Sequence, residues 1–224
     1  MNVNKVIIKK MKLISYIVVL ILLFSIVGCS WKGYKLPSDT DYERVGDTDD
    51  AYFIGFQNFD NSIKKDKVRV DSVKQAILDV KNIFHDDSFK SIFLNKSWVA
   101  SCDGNSLERV SGNEVITDLL SLNIKISFFP KKPFLAIGLT DTINNRIAVD
   151  PYRIDKHNEE EIIDASLLIE TIAHEFTHMI IENGNVKYRD RGHGKNGCLQ
   201  NKLVSYRVGK AVQAVWISKN VKKI

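Results

Sequence analysis

Two histidines four residues apart, His174 and His178, fall within the longest run of helix-forming sequence in the chain, and this pair constrains the fold more than any other feature. On an α-helix, residues four apart lie on one face, so both imidazoles are aimed at the same point in space. The helix is expected from about Asn158 to Asn183. Glu159, Glu160 and Glu161 then lie in its first turn, where negative charge suits the helix dipole, and Gly184 supplies a left-handed C-cap.

The point shared by the two imidazoles is where a metal ion would sit. Zinc accepts imidazole nitrogen readily, and a catalytic zinc site uses three protein ligands plus a water whose pKa falls toward neutrality. In His174-Glu175-Phe176-Thr177-His178, Glu175 stands beside the first histidine and fits as the base that takes that water's proton. The expected cofactor is therefore one Zn2+ per chain. The third ligand is assigned to His193 in Arg191-Gly192-His193-Gly194, where flanking glycines let the backbone turn sharply, with Asp190 as the alternative. Glu182, four residues beyond His178 on the expected helix, is better suited to contact a ligand histidine than to complete a zinc tetrahedron. Tyr188, Arg191 and Tyr206 are candidates to stabilise a developing oxyanion only because they lie near the motif in sequence.

The N-terminus bears on location. Lys5, Lys9, Lys10 and Lys12 precede an uncharged apolar run from Leu13 to Val27, the pattern of a positive n-region and an h-region. The run is short for a membrane span and ends in Ile26-Val27-Gly28-Cys29, which looks like a bacterial lipobox. That resemblance implies residues 1–28 as a signal peptide, Cys29 as the lipidated first residue of the mature chain, and a lipid anchor in the cell envelope. An uncleaved N-terminal anchor helix is the other reading. Removing the four lysines from a formal charge of +5 leaves about +1, which gives no broad electrostatic footprint for a polyanion, so nucleic acid is not an expected partner. Cys102 and Cys198 are the remaining thiols, either one disulfide or two buried cysteines.

Residues 29–62 read as a polar tether or loosely docked arm whose apolar cluster, Tyr52, Phe53, Ile54 and Phe56, packs on a domain spanning 63–224. That domain is expected to begin its fold near residue 50 to 65. Val73, Ala76, Ile77, Val80, Ile83 and Phe84 recur at helical spacing between Asp71 and Phe84. Ser111 with Glu114 three residues on fits a capping box for a helix to Leu120. Ile124 to Phe129, Phe134 to Leu139 and Arg146 to Val149 read as a small antiparallel sheet, and Leu199 to Val215 as a final helix. His85 and His157 fall outside ligand spacing and are expected at helix ends or in solvent.

Glu170-Thr171-Ile172-Ala173-His174-Glu175-Phe176-Thr177-His178, followed after fourteen residues by His193 between Gly192 and Gly194, resembles the SprT-like zinc metallopeptidase domain. The likeness is specific from Glu170 to Gly194 and extends in outline over residues 65 to 215, with Gly138 on a strand bordering the cleft. It implies an α+β, zincin-like fold, with a small antiparallel sheet packed on an active-site helix and flanking helices. It also implies His174, His178 and His193 as zinc ligands, Glu175 as catalytic base, and Glu170 as a carboxylate that orients a ligand. The sequence departs from the family's pattern after the histidine-glycine step, where Lys195, Asn196 and Gly197 follow, and it has no downstream zinc ribbon. The expected function is a membrane-anchored metallopeptidase cleaving envelope or extracellular protein, its substrate running along the edge strand Phe134 to Thr140. The alternative from another class is a metal-stabilised binding or assembly lipoprotein without turnover.

Overall fold

The computed structural model describes residues 42–45, 52–56, 63–103, 106–130, 138–143, 145–157, 161–190 and 202–221, all within one compact unit. The lipobox-like stretch with Cys29, together with His193, Cys198 and the side chain of Cys102, lies outside the described residues, so the expected lipidation and cysteine pairing do too. Among the described residues no helix is long and apolar enough to cross a membrane.

The fold is mixed α+β, and it starts earlier than the sequence suggests. The stretch read as an arm contributes β1 (Tyr42–Val45) and β2 (Tyr52–Phe56), paired antiparallel. Tyr52 and Ile54 point into the core while Phe53 between them is exposed, the alternation of a half-buried strand rather than a docked linker. Helix α1 (Lys64–Phe84) buries the expected stripe from Val73 to Phe84 and starts at Lys64 rather than Asp71. Helix α2 (Asp87–Phe93), capped by Asp86, and a hairpin of β3 (Ser97–Asp103) and β4 (Ser106–Ser111) follow; neither is legible in the sequence. Helix α3 (Gly112–Leu120) begins where the capping pattern puts it, with Ser111 Oγ accepting from the Glu114 N–H at 3.2 Å.

Strands β5 (Lys125–Pro130), β6 (Gly138–Asp141) and β7 (Arg146–Val149) complete a five-stranded sheet in the order β1-β2-β5-β7-β6. The expectation of an antiparallel sheet is corrected: β5 runs parallel to both β2 and β7, and only β1–β2 and β6–β7 are antiparallel. All four residues of β7 are buried, which suits an interior strand, whereas β6 carries Thr140 and Asp141 and takes the edge. The chain therefore passes β7's position, builds the edge first and returns inside it.

After α4 (Pro151–Lys156), the motif lies on α5 (Ile162–Thr177), which is shorter than expected at its C-terminal end. His178 is its C-cap. Asn183 and Gly184, with φ of 51° and 76°, make the two-residue turn between β8 (Ile181–Glu182) and β9 (Asn185–Val186). Gly184 is thus a hairpin residue, not a helix cap. Helix α6 (Val204–Val221) is the last element.

Along α5, Ala165, Leu168, Ile169, Ile172, Ala173 and Phe176 recur at helical spacing and are buried. The Phe176 ring meets Tyr52 of β2 edge-on at 5.6 Å between centroids and Phe128 of β5 at 6.4 Å. Burying a side chain of this size stabilises the fold by about 1.5–3 kcal/mol and fixes the helix on the sheet. On another side α6 comes close. A Cβ added at Gly209 would lie 3.0 Å from the Glu170 carbonyl oxygen and 3.3 Å from His174 Cβ, so only glycine admits this approach without a shift.

Candidate metal centre

Helix α5 carries Glu170 and His174 four residues apart, and His178, its C-cap, continues the same line one turn on. His174 Nε2 and His178 Nε2 converge on a single atom, Asp190 Oδ2, at 2.8 and 3.1 Å. The three ligand atoms lie within 4.8 Å of one another. Zinc bonded at about 2.0–2.1 Å to nitrogen and oxygen in a tetrahedron holds its ligands about 3.3 Å apart, so the set fits three corners of such a site with little movement. Of the two candidates for third ligand, Asp190 is the one brought to the histidines among the described residues; His193 lies outside them.

The protons on His178 make the same point. Its Nδ1 is 2.7 Å from the Tyr188 carbonyl oxygen, which can only accept, so Nδ1 carries a hydrogen. A neutral ring then offers a bare lone pair at Nε2, facing the Asp190 carboxylate. That contact is favourable only if a second proton or a metal cation lies between. In the metal-free pair, burial works against charge on the ring, yet hydrogen bonding to Asp190 and the nearby charges of Asp190 and Glu175 hold His178 up at about 9. Burial likewise opposes charge on Asp190, and the two imidazoles hold its carboxyl well below the ordinary carboxylate range. The other carboxylate oxygen, Oδ1, accepts from the Ser205 hydroxyl at the start of α6.

Glu175 points toward the sheet edge. It is 4% exposed, and its Oε2 accepts from the Thr140 hydroxyl of β6 at 2.7 Å. Its Oε1 occupies the space a side chain at position 138 would need: a Cβ on Gly138 would lie 2.5 Å away. Gly138 and Thr140 are two residues apart on one face of the strand, so β6 forms a socket for this carboxylate.

Other expected site residues take different roles. Glu182 is on β8, half-exposed, and pairs with Lys187 at 3.1 Å, because the helix that would have aimed it at the histidines has ended. Glu170 pairs with Lys210 of α6 at 2.9 Å rather than with a ligand histidine. Tyr188 is fully buried, with its hydroxyl donating to Asp118 at 2.5 Å, and is not positioned as an oxyanion donor. Tyr206 packs against His174, centroids 4.7 Å apart and rings nearly perpendicular. Burial, then the charges of Asp190 and Glu175, push its phenol up to about 12. Arg191 lies outside the described residues. His85 and His157 are C-caps of α1 and α4, and His157 Nδ1 also meets the Ala165 carbonyl at 2.8 Å, in keeping with a helix-end role.

Thr140, Ser205 and Asp118, which bond to Glu175, Asp190 and Tyr188, are contacts of the site that sequence reasoning does not single out. Only Thr140 left a signal, two residues from the glycine already expected to border the cleft. Set against family models, curated proteins and solved structures, the chain matches none of the three.

Proposed function

We propose that this chain is a zinc-dependent peptidase of the envelope, tethered through Cys29 as its lipobox-like sequence implies, with His174, His178 and Asp190 as metal ligands and Glu175 as general base. The observation that carries the reading is the convergence of two imidazole nitrogens and one carboxylate oxygen next to Glu175, whose carboxylate is held by Thr140. A divalent metal at such a site supplies Lewis acidity and brings a water's pKa toward neutrality. Glu175 takes the proton of the attacking water and returns it to the leaving amine nitrogen. Thr140 holds the carboxylate in place for both transfers, and the protonated phenol of Tyr206 is a donor toward the developing oxyanion. Because β6 is an edge strand, an extended peptide adding to it would run beside Glu175, as in β-augmentation. The zincin-like architecture and the SprT-like resemblance belong to this reading, supported by the motif helix lying on a small sheet.

A second reading, a metal-stabilised binding or assembly lipoprotein, is favoured by the burial of Glu175 and its bond to Thr140. One experiment separates them. The full-length chain, purified in detergent with and without Glu175→Gln, is assayed for bound metal and for degradation of an unfolded protein. Stoichiometric zinc with cleavage lost in the variant supports the peptidase; stoichiometric zinc with equal background cleavage by both supports the binding protein.

A further inference from the structure

The residues after the β8–β9 hairpin, 187–190, form no regular element, and a segment of that kind is ordinarily among the least constrained in a fold. Here every one of the four is fastened, between them to α3, β3 and α6. The Lys187 N–H donates to the Ile180 carbonyl at 2.9 Å, and its ammonium reaches Glu114 and Asp118 of α3 at 2.7 and 2.9 Å as well as Glu182. The Tyr188 hydroxyl donates to Asp118. The Arg189 N–H donates to the Ala100 carbonyl at 3.1 Å, at the point where the register of β3 and β4 shifts between Val99 and Ser101. An irregularity of that kind releases a strand's carbonyl from its ladder and re-aims it. Asp190 ends the segment, held by Ser205.

Two of these attachments share one atom. Asp118 Oδ2 accepts both the Tyr188 hydroxyl and the Lys187 ammonium. The buried ring of Tyr188 is a rigid connection, anchored by its hydroxyl at one end, with its own backbone carbonyl at the other receiving Nδ1–H of His178. That carbonyl decides which nitrogen of His178 faces Asp190.

We propose that Asp118 is a positioning residue for the metal centre: by fixing Tyr188 and Lys187 it sets the tautomer and orientation of His178 and the place of Asp190, though it touches neither. The proposal rests on the reading that His174, His178 and Asp190 hold a divalent metal, and it assigns the affinity of that site to an anchor on another helix. Loss of an outer partner of a ligand histidine costs about 10- to 100-fold in metal affinity, and Asp118, one contact further out, is expected to carry up to about tenfold of it.

The test uses the full-length chain in detergent, zinc titrated against a chelating dye, and the visible spectrum of the Co2+-loaded protein as a readout that a merely structural role would not move. Asp118→Asn removes the charge, Tyr188→Phe removes only the hydroxyl and keeps the buried ring, and Glu114→Gln, which loosens Lys187 without touching Tyr188, is the control. Asp118→Asn and Tyr188→Phe are each expected to weaken zinc by about three- to tenfold and to alter the Co2+ spectrum, with Glu114→Gln close to wild type. If either variant folds and binds zinc with wild-type affinity and spectrum, the inference is overturned; should Asp118→Asn not fold, Tyr188→Phe alone decides. A wild-type chain that binds no zinc overturns the reading of the site itself, and is distinguished by that result from failure of the anchor.

Discussion

The Thr140 hydroxyl donates to Glu175 Oε2 across 2.7 Å, joining the edge strand β6 to the motif helix at the residue assigned as the base. A hydrogen bond to a charged group contributes about 1.5–3 kcal/mol, equivalent to roughly 10- to 100-fold in rate if it acts only on the orientation of the base. Thr140→Val should lower kcat within that range and leave KM and zinc content near wild type. Thr140→Ser, which keeps the hydroxyl, should recover most of the loss. Steady-state kinetics on a fluorogenic peptide checks both.

Gly138 contributes by what it lacks. Its added Cβ would meet Glu175 Oε1 at 2.5 Å and Thr171 Cγ2 at 2.8 Å, so Gly138→Ala must displace one of them. Overpacking of this kind costs about 1–3 kcal/mol. The variant is expected to bind zinc normally, melt a few degrees lower and lose most activity. Unchanged kcat with a normal melting temperature would mean that the carboxylate does not act from this position.

Zinc ligation discriminates between Asp190 and His193. Asp190→Ala should weaken zinc by more than about 100-fold, beyond the cost of losing an outer partner, and His193→Ala by less than about tenfold. The same difference should appear in thermal stability, since zinc at 100 times its Kd adds about 2.7 kcal/mol to a chain that binds it and nothing to one that does not. The reverse ranking would restore the three-histidine set that the SprT-like resemblance implies; the expected ranking confines that resemblance to the motif helix.

Tyr206, its phenol pushed up to about 12, remains protonated through neutral pH, its ring packs on His174, and its hydroxyl is the donor proposed for the oxyanion. Loss of an oxyanion donor typically costs about 100- to 1,000-fold in kcat. Tyr206→Phe should show a loss of that order with zinc affinity unchanged. An active Phe variant would leave the ring with a packing role only.

Away from the centre, Arg69 of α1 grips Asp155 of α4 through two bonds of 2.7 and 2.8 Å. Hydrogen bonding to Arg69 outweighs partial burial and holds Asp155 below the ordinary carboxylate range. A depressed folded pKa stabilises the native state above the unfolded value, about 3.9, and that contribution is lost as pH falls through the folded value. The pair is partly exposed, so its worth at neutral pH is at most about 1 kcal/mol. Asp155→Asn should melt slightly lower than wild type at pH 7, and the difference should close as the pH drops below the ordinary carboxylate range.

Local signals and long-range ones fared differently in the sequence. Ser111 with Glu114, and the stripe from Val73 to Phe84, are local patterns with one physical solution, and both hold. The end of the motif helix is ambiguous in sequence because a glycine at positive φ serves a helix C-cap and a hairpin turn equally well. Asn183 beside Gly184, with both residues left-handed, decides for the hairpin. Strand order was not legible at all: β7 inserts between β5 and β6 through burial of Arg146 to Val149, and pairing partners leave no periodicity in a single chain. The histidines and Glu175 were readable because one helix presents them. Asp190 remained one of two candidates because what brings it in is a set of contacts to Asp118, Ala100 and Ser205, distant in sequence and unremarkable in composition.

The first turns of α6 supply Ser205 to Asp190, Tyr206 to His174 and the bare backbone of Gly209 against the helix that carries both histidines. A chain emerging from the ribosome therefore displays the whole histidine motif some thirty residues before it possesses the helix that finishes the centre. Until that last stretch docks, Asp190 lacks its hydroxyl support and His174 its aromatic neighbour. The order of synthesis thus delays completion of the site until nearly all of the fold around it has been made.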